Sequence, residues 1–434
     1  MPLKPIVEVE EEIHAYHPAD NGAGPLWCHG STIVARHQDT VYVAALETLP
    51  DQKPLNNCRF LLYQRTASGW TLIHRDKIGR TREPSPLVLL GDDLLVSANP
   101  TLAAPGEYGG PAEPCVFRFN ATDPTAAPTR EQPRWQDAPA FSEHSYRTVI
   151  ADGREVLYLQ NVGYDAAHIS YRDARGHWHG LNPLTWPRGN EYDPPQPLRL
   201  CYPNVALHNR SAHFLGVGDI VEPVPAWKQA KRKLTGRDWD YVFRRLFYTY
   251  TPDVVNHPFG EWTELSNRDQ TAGHIRNGDL HLAADGIVHL IWTETTVDPR
   301  LRDRFFPDAQ IIHTLEYLTL RAGQVQSRRT LLSHAEDEDG PIPELARFHV
   351  LEDGTILILG QFSAPGSTPI YRCALAADEL DWVDVPFSHP MPGTFLTNTT
   401  RSGSSPSSYV DLVGMSPNNP HTLGYAQVRI EIES

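Results

Sequence analysis

Sulfur is scarce in this 434-residue chain, which has 5 cysteines and 3 methionines. An odd cysteine count without a CxxC pair offers neither a disulfide framework nor a zinc knuckle. Long apolar runs are missing too. None approaches the roughly 18 residues that a membrane-crossing helix needs, so no membrane span is expected. Positive charge is in short supply: 38 Lys and Arg face 53 Asp and Glu, for a net charge of −15. That balance excludes general nucleic-acid binding, which needs a basic surface. The N-terminal MPLKPIVEVEEEIHAY has no apolar signal core, so a cytoplasmic protein is expected, or a secreted one whose signal has been removed. GxSxG, P-loop, strand-following GxGxxG and HExxH patterns are all absent, and neither a metal site nor a cofactor is expected.

What the chain does have is repetition. SEHSYRTVIADGREVLYLQN, from Ser142 to Asn161, reads as a polar entrance, a strand, a turn at Asp152-Gly153 and a second strand. Asp-Gly between two apolar runs is a strong hairpin signal. The pattern returns in HIRNGDLHLAADGIVHLIWTET from His274 and in ELARFHVLEDGTILILGQF from Glu344. Aligning on it gives seven copies, starting near His29, Arg82, His144, Tyr202, His274, Glu344 and Thr397. In five of them a Tyr- and Arg-rich third strand leads to a tryptophan: Trp70, Trp135, Trp178, Trp262 and Trp382. The 38 prolines and 30 glycines are spread along the chain, as many short strands joined by turns require.

Seven units of four strands predict an all-β fold, a seven-bladed β-propeller spanning residues 1–434 as one domain. The last unit has only three candidate strands of its own. The segment from Ile6 to Tyr16 is expected to supply the fourth and close the ring.

This geometry places the unit starts on one face, together with the longest insertions, 100–114, 219–242 and 296–309. The middle insertion carries Lys231 and Arg232 among several other cations, and is expected to form a basic rim against an acidic ligand. Polar groups occupy the start of every unit. They include His29, Arg82, His144, Tyr146, Tyr202, Asn204, His274, Arg276, Asn277 and Arg347. In a propeller they converge on one axial pocket, the usual place for a ligand. Taken singly, each is more simply a hydrogen-bonded structural residue. The periodic set is what points to a site. Cys28 and Cys201 stand in units one and four, and are expected to be buried and too far apart to pair.

The Tyr-Arg strand followed by Gly-x-Trp, best seen in YRDARGHW at 171–178, resembles a degenerate bacterial neuraminidase repeat. Together, HSYR (144–147), YPN (202–204) and AADGIVHLIW (283–292) resemble the ulvan lyases and rhamnose–glucuronate-cleaving polysaccharide lyases. That resemblance implies a seven-bladed propeller that eliminates across a uronate linkage in an acidic polysaccharide or oligosaccharide. It implies His144 and Tyr202 as the proton-transfer pair, with Tyr146 as a substitute acid. Tyr164 or His168 lies where such lyases place a second histidine, and Gly218-Asp219 stand where their neutralising arginine is expected. Arg82, Arg276 or Asn204 are then the candidates to hold the uronate carboxylate, Arg best because its planar fork matches one. Two other readings remain open. One is a non-catalytic propeller that binds glycan or protein; the other is a sialidase-like glycoside hydrolase, with Glu83 and Glu344 as candidate acids.

Overall fold

A computed structural model describes residues 3–77, 79–364, 367–377 and 379–432. Strands account for 52% of it and helix for 6%, which leaves no room for a helical layer. Seven four-stranded antiparallel sheets form seven blades. Blade 3 shows how the sequence makes one. Arg147–Asp152 pairs with Glu155–Val162, which pairs with Ala166–Arg172, which pairs with Trp178–Thr185. The expected Asp-Gly turn lies one residue later: Asp152 still pairs with Glu155, and the turn is Gly153-Arg154. Gly153 has φ 58 while Arg154 stays at negative φ, matching the hairpin turn that takes glycine at its first central position.

The first strand of each blade packs against the first strand of the next, all the way round the ring. These inner strands are buried on both faces; Leu87–Leu90 is buried at every residue. Outer strands meet water, as Gln324–Ala335 shows with its mostly exposed side chains. In blade 7 the strands Leu396–Thr397, Tyr409–Met415 and Thr422–Ile432 are completed by Leu3–Ala15, which pairs antiparallel with Thr422–Ile432.

Charged side chains cross-link the centre of the ring. Arg347 is buried and donates to the carbonyls of Gly278, His29 and Phe395, joining blades 5, 6 and 7 to the segment before blade 1. Arg401, on a short turn from blade 7, reaches across to Asp279 and to the carbonyl of Val205. Donors that meet carbonyl oxygens keep buried guanidinium groups satisfied. They also give the axial pocket a rigid floor.

Candidate active site

The segment at 16–33, before the first blade, decides the geometry. It runs over the axis instead of along the rim. Asn21 anchors it through bonds to Asn57 and the carbonyls of Leu55 and Arg82, while Arg82 Nε returns a bond to the Asn21 carbonyl at 2.9 Å. Further on, Ser31 Oγ donates to the carbonyl of Arg147 in blade 3. Arg82 is thus an anchor for this crossing segment, not a pocket residue. The crossing also carries Cys28 into the buried cluster that holds Cys201, so the two are near neighbours, contrary to their separation around the ring. Both thiols are free, and burial pushes their pKa values up.

The crossing segment delivers Trp27 and His29 to blades 3, 4 and 5. One face of Trp27 stacks on Tyr146, with ring centroids 4.6 Å apart and planes 16° apart. His144 and Tyr202 flank Trp27 at 5.4 and 6.0 Å. His29 stacks on Tyr202 at 4.1 Å. Trp27, His29, Tyr202, Phe243, His274, Arg276, Asn277 and Thr394 line an axial cavity of about 280 Å³.

Tyr202 is held by its backbone. The ladder between Leu200–His208 and Ser211–Gly218 breaks between Cys201 and Asn204, a bulge that puts Tyr202 at φ 50. A left-handed conformation is costly for a bulky residue and persists only when its surroundings fix it. Here Asn277 Nδ2 donates to the Tyr202 carbonyl at 2.6 Å. Gly30 packs against the same carbonyl so closely that a Cβ would lie 2.0 Å from the oxygen. Bulges beside sites re-aim a side chain, and this one aims the Tyr202 ring into the cavity. Burial raises its phenol pKa, so the proton stays on at neutral pH.

His144 is set by a carboxylate. Its Nδ1 lies 2.9 Å from Oε1 of the fully buried Glu83, one blade back. Glu83 Oε2 accepts from the amide and hydroxyl of Ser145 at 2.8 and 2.7 Å. A carboxylate on Nδ1 selects the tautomer that leaves Nε2 free to accept a proton. The His144 side chain is 23% exposed, enough for a substrate to reach it. The His144 ring is separated from Tyr202 by Tyr146 and Trp27 and is not part of the cavity lining. Tyr146 is buried behind Trp27 with its hydroxyl on Asp219 Oδ2 at 2.8 Å, which makes it a wall instead of an available acid.

Arg276 supplies the charge. Its Nη2 donates to Thr394 Oγ1 at 2.7 Å and Nη1 to the Glu344 carbonyl at 3.4 Å. Among the described residues no carboxylate lies within ion-pair distance of it. Burial lowers its pKa somewhat, but an arginine stays charged at neutral pH. His274 stands beside it, open to solvent yet hemmed in by the walls. Desolvation by those walls, and then the charge of Arg276, lowers the His274 pKa. His29 is buried; burial, then Arg276 and Arg347, hold its pKa well below the ordinary range. Two buried polar atoms of the lining have no partner, His29 Nδ1 and Asn277 Oδ1.

The remaining candidates are structural. Asn204 is buried, accepting from Asn277 and donating to the carbonyl of Gly30. Arg347 belongs to the floor described above. Lys231 is not a rim cation: its ammonium is buried between Glu222 at 2.8 Å and Asp240 at 2.7 Å. Arg232 is exposed and pairs locally with Asp238. Their helix, α1 (Pro225–Thr235), packs on α2 (Pro299–Phe305) through Trp227, Ala230, Leu301 and Phe306. Helical periodicity turned Lys231 inward, where the strand-based reading had no means to see it. Sequence reasoning also missed Trp27. Only its place on a segment that crosses the axis makes it part of the site.

Fold and site define a seven-bladed β-propeller with a polar, aromatic-walled cavity at the mouth of its axis. No family model matches the chain, and no curated protein matches it by sequence. Solved structures do match in shape. An ulvan lyase of polysaccharide lyase family 25, bound to -[GlcA(1-4)Rha3S]-, superposes with TM-score 0.55 at 9% identity, over 93% of each chain. A second structure of ulvan lyase gives TM-score 0.55 at 8% identity, again over 93% of each chain. An α-L-arabinanase from Penicillium chrysogenum, complexed with arabinobiose, reaches TM-score 0.47 at 11% identity, over 98% of each chain. At such identities the two ulvan lyase likenesses show the fold alone.

Proposed function

We propose that this propeller acts on uronate-containing saccharides and cleaves them by β-elimination. The observation that carries the reading is Arg276, a guanidinium without a carboxylate partner, in a cavity that also holds Tyr202. Arg276 is half-buried, with only the more distant charge of Glu344 acting on it. A partly desolvated cation without an ion-paired carboxylate favours an anionic ligand. A uronate carboxylate is the complement that its planar fork recognises.

The chemistry follows from what each group can do. The C5 proton of a uronate is weakly acidic, and its removal pushes charge onto the carboxylate. Arg276 stabilises that charge as it develops. His144, oriented by Glu83, takes the C5 proton on Nε2. The electrons of the C5–H bond form the C4–C5 double bond as the C4–O bond breaks. Tyr202, which keeps its proton at neutral pH, donates it to the departing oxygen. Trp27, half-buried, has His144 and Tyr202 on its flanks, so a substrate that engages both extends from the cavity past its indole.

Hydrolysis needs two carboxyl groups about the bond. Among the described residues no Asp or Glu lines the cavity. Glu83 is occupied by His144 and Ser145, and Glu344 accepts from Ser363. Elimination is therefore the better-supported chemistry. The shape likeness to ulvan lyase, which binds a glucuronate-containing ligand, points the same way. The test is incubation with a panel of uronic-acid polysaccharides, following ultraviolet absorbance of the unsaturated product together with reducing ends. A lyase raises both. A rise in reducing ends alone makes the protein a hydrolase, and binding without either makes it a glycan-binding module.

A further inference from the structure

The basic arm at 225–239 contributes no residue to the lining of the axial cavity. Its helix α1 and the neighbouring α2 form a roof at the edge of blades 4 and 5. Of the five cations in the arm, two are used up by pairs. Lys231 is held inside by Glu222 and Asp240, and Arg232 pairs with Asp238 at 3.0 Å. The acids nearby are thereby taken, since Asp240 also meets Arg300 and Glu222 meets Arg244. Among the described residues Lys228, Lys233 and Arg237 are left without an ion pair. Lys233 and Arg237 are exposed, and Lys228 is half-buried. Two large apolar side chains stand among these charges. Leu234 and Trp239 are each 65% exposed. Gly236, left-handed at φ 70, ends α1 between them. A second apolar tip, Leu102 and Tyr108 on the insertion at 100–114, is also exposed, but it carries Glu107 and no cation.

We infer that the arm docks on an anionic lipid surface. Leu234 and Trp239 enter the headgroup region, and Lys228, Lys233 and Arg237 meet the phosphates. Tryptophan favours the membrane–water interface, and cations beside an apolar tip add attraction to anionic lipid. Leu234 separates this reading from a second use of acidic saccharide. It has neither a polar group nor a π-face to offer a sugar, whereas the acyl boundary of a bilayer accepts it. Charge selects the kind of lipid. The whole chain carries −15 and is repelled by an anionic surface except through a local patch such as this one. The attachment is peripheral, because among the described residues no helix is long and apolar enough to cross a membrane.

The roof gives the tip a fixed base. Lys231, buried between Glu222 and Asp240, ties α1 to the partners of both Arg244 and Arg300. Trp227 and Ala230 pack it on Leu301 and Phe306 of α2. The apolar and basic groups of the tip are thus presented together, without a disordered segment to order on binding.

Cosedimentation of the intact protein with vesicles tests the inference, using phosphatidylcholine alone and phosphatidylcholine mixed with phosphatidylglycerol. Wild type is expected to partition onto the mixed vesicles about tenfold or more better, and to lose that preference in high salt. Lys233→Gln with Arg237→Gln removes two charges, each contributing roughly fivefold to partitioning, so binding should fall by about ten- to thirtyfold. Leu234→Ser with Trp239→Ser should lower it by about tenfold or more. Leu102→Ser with Tyr108→Ser should leave it unchanged. All six positions are exposed, so unchanged melting temperatures are expected throughout. No wild-type binding to the mixed vesicles, equal binding to both kinds, or binding untouched by the Leu234 and Trp239 substitutions overturns the proposal. The same proteins are run in affinity electrophoresis on a soluble glucuronate-containing polysaccharide. Retardation that the charge variant loses, with no vesicle binding by wild type, makes the arm a polysaccharide anchor and also overturns the proposal.

Discussion

His144 and Glu83 come from neighbouring blades and meet at 2.9 Å, the carboxylate wholly buried and the imidazole partly open. Glu83 aims this ring and orders Ser145 beside it, and it also faces the buried guanidinium of Arg147 at 3.9 Å. Glu83→Gln is expected to lower kcat by roughly ten- to a hundredfold through loss of tautomer and orientation, with a smaller change in KM. His144→Ala should cost roughly a hundred- to ten-thousand-fold. Steady-state kinetics on an unsaturation assay checks both. Normal kcat in both variants would remove the dyad from the mechanism and point to His29.

Tyr202→Phe keeps the ring between His29 and Trp27 but loses the proton. Turnover is expected to fall by roughly a hundred- to ten-thousand-fold, with the melting temperature little changed. Gly30→Ala is the companion variant. Its Cβ would strike the Tyr202 carbonyl, so it should displace the bulge and lower activity and stability together. A fully active Gly30→Ala protein would show that the strained placement of Tyr202 is irrelevant.

Lys231→Met leaves Glu222 and Asp240 with one cation fewer in a buried network. Breaking such a network by removing one partner typically costs about 3–5 kcal/mol. The expected outcome is a clear drop in melting temperature and earlier proteolysis within 219–242. Arg232→Ala, on the exposed side of the same helix, should change neither. Equal, small effects for both would mean that the buried pairing is not holding the roof.

Acid should destabilise the fold through its buried histidines. His213 and His281 are buried, and burial lowers both pKa values from 6.5 to about 4. Above pH 6.5 both states are neutral at these residues and stability is at its full value. Between 6.5 and 4 the unfolded chain binds protons that the folded one does not, so stability falls as pH falls. At roughly 1.4 kcal/mol per pKa unit, each residue accounts for on the order of 3 kcal/mol. His213, with bonds to Tyr248 and Ser211, can be replaced to isolate its share. Calorimetry of His213→Gln should show a shallower decline in melting temperature from pH 7 to 4 than wild type. Parallel curves would contradict the assignment.

The fold was legible because its signals are local. Each hairpin announces itself through alternation and a glycine turn, and the repeat of tryptophans fixed the spacing of the blades. Even so, Asp152 and Gly153 predicted the turn one residue early, because pairing extends to the last residue that the register allows. The site was legible in part. Tyr202, His274, Arg276 and Asn277 share the axial cavity with His29, as their periodic placement implied. Arg82, Asn204 and Arg347 stand at the same periodic positions yet serve the crossing segment and the floor. A repeat tells where a residue starts, not which neighbour claims its donors. Trp27 and the closeness of Cys28 to Cys201 depend on the path of one irregular segment, which carries no periodicity to read.

The most direct test of the account is Arg276. Wild type and Arg276→Ala, with Arg276→Lys as a charge-retaining control, are compared for binding and elimination on one glucuronate-containing oligosaccharide that the wild type cleaves. A charge-assisted pair to a carboxylate contributes roughly 1.5–3 kcal/mol to binding, and stabilising the enolate adds to that in the transition state. The account predicts that Arg276→Ala weakens binding by at least tenfold and lowers kcat further, while Arg276→Lys recovers part of the binding and little of the turnover. Unchanged binding and unchanged unsaturation in a folded Arg276→Ala protein would contradict the claim that this pocket holds a uronate.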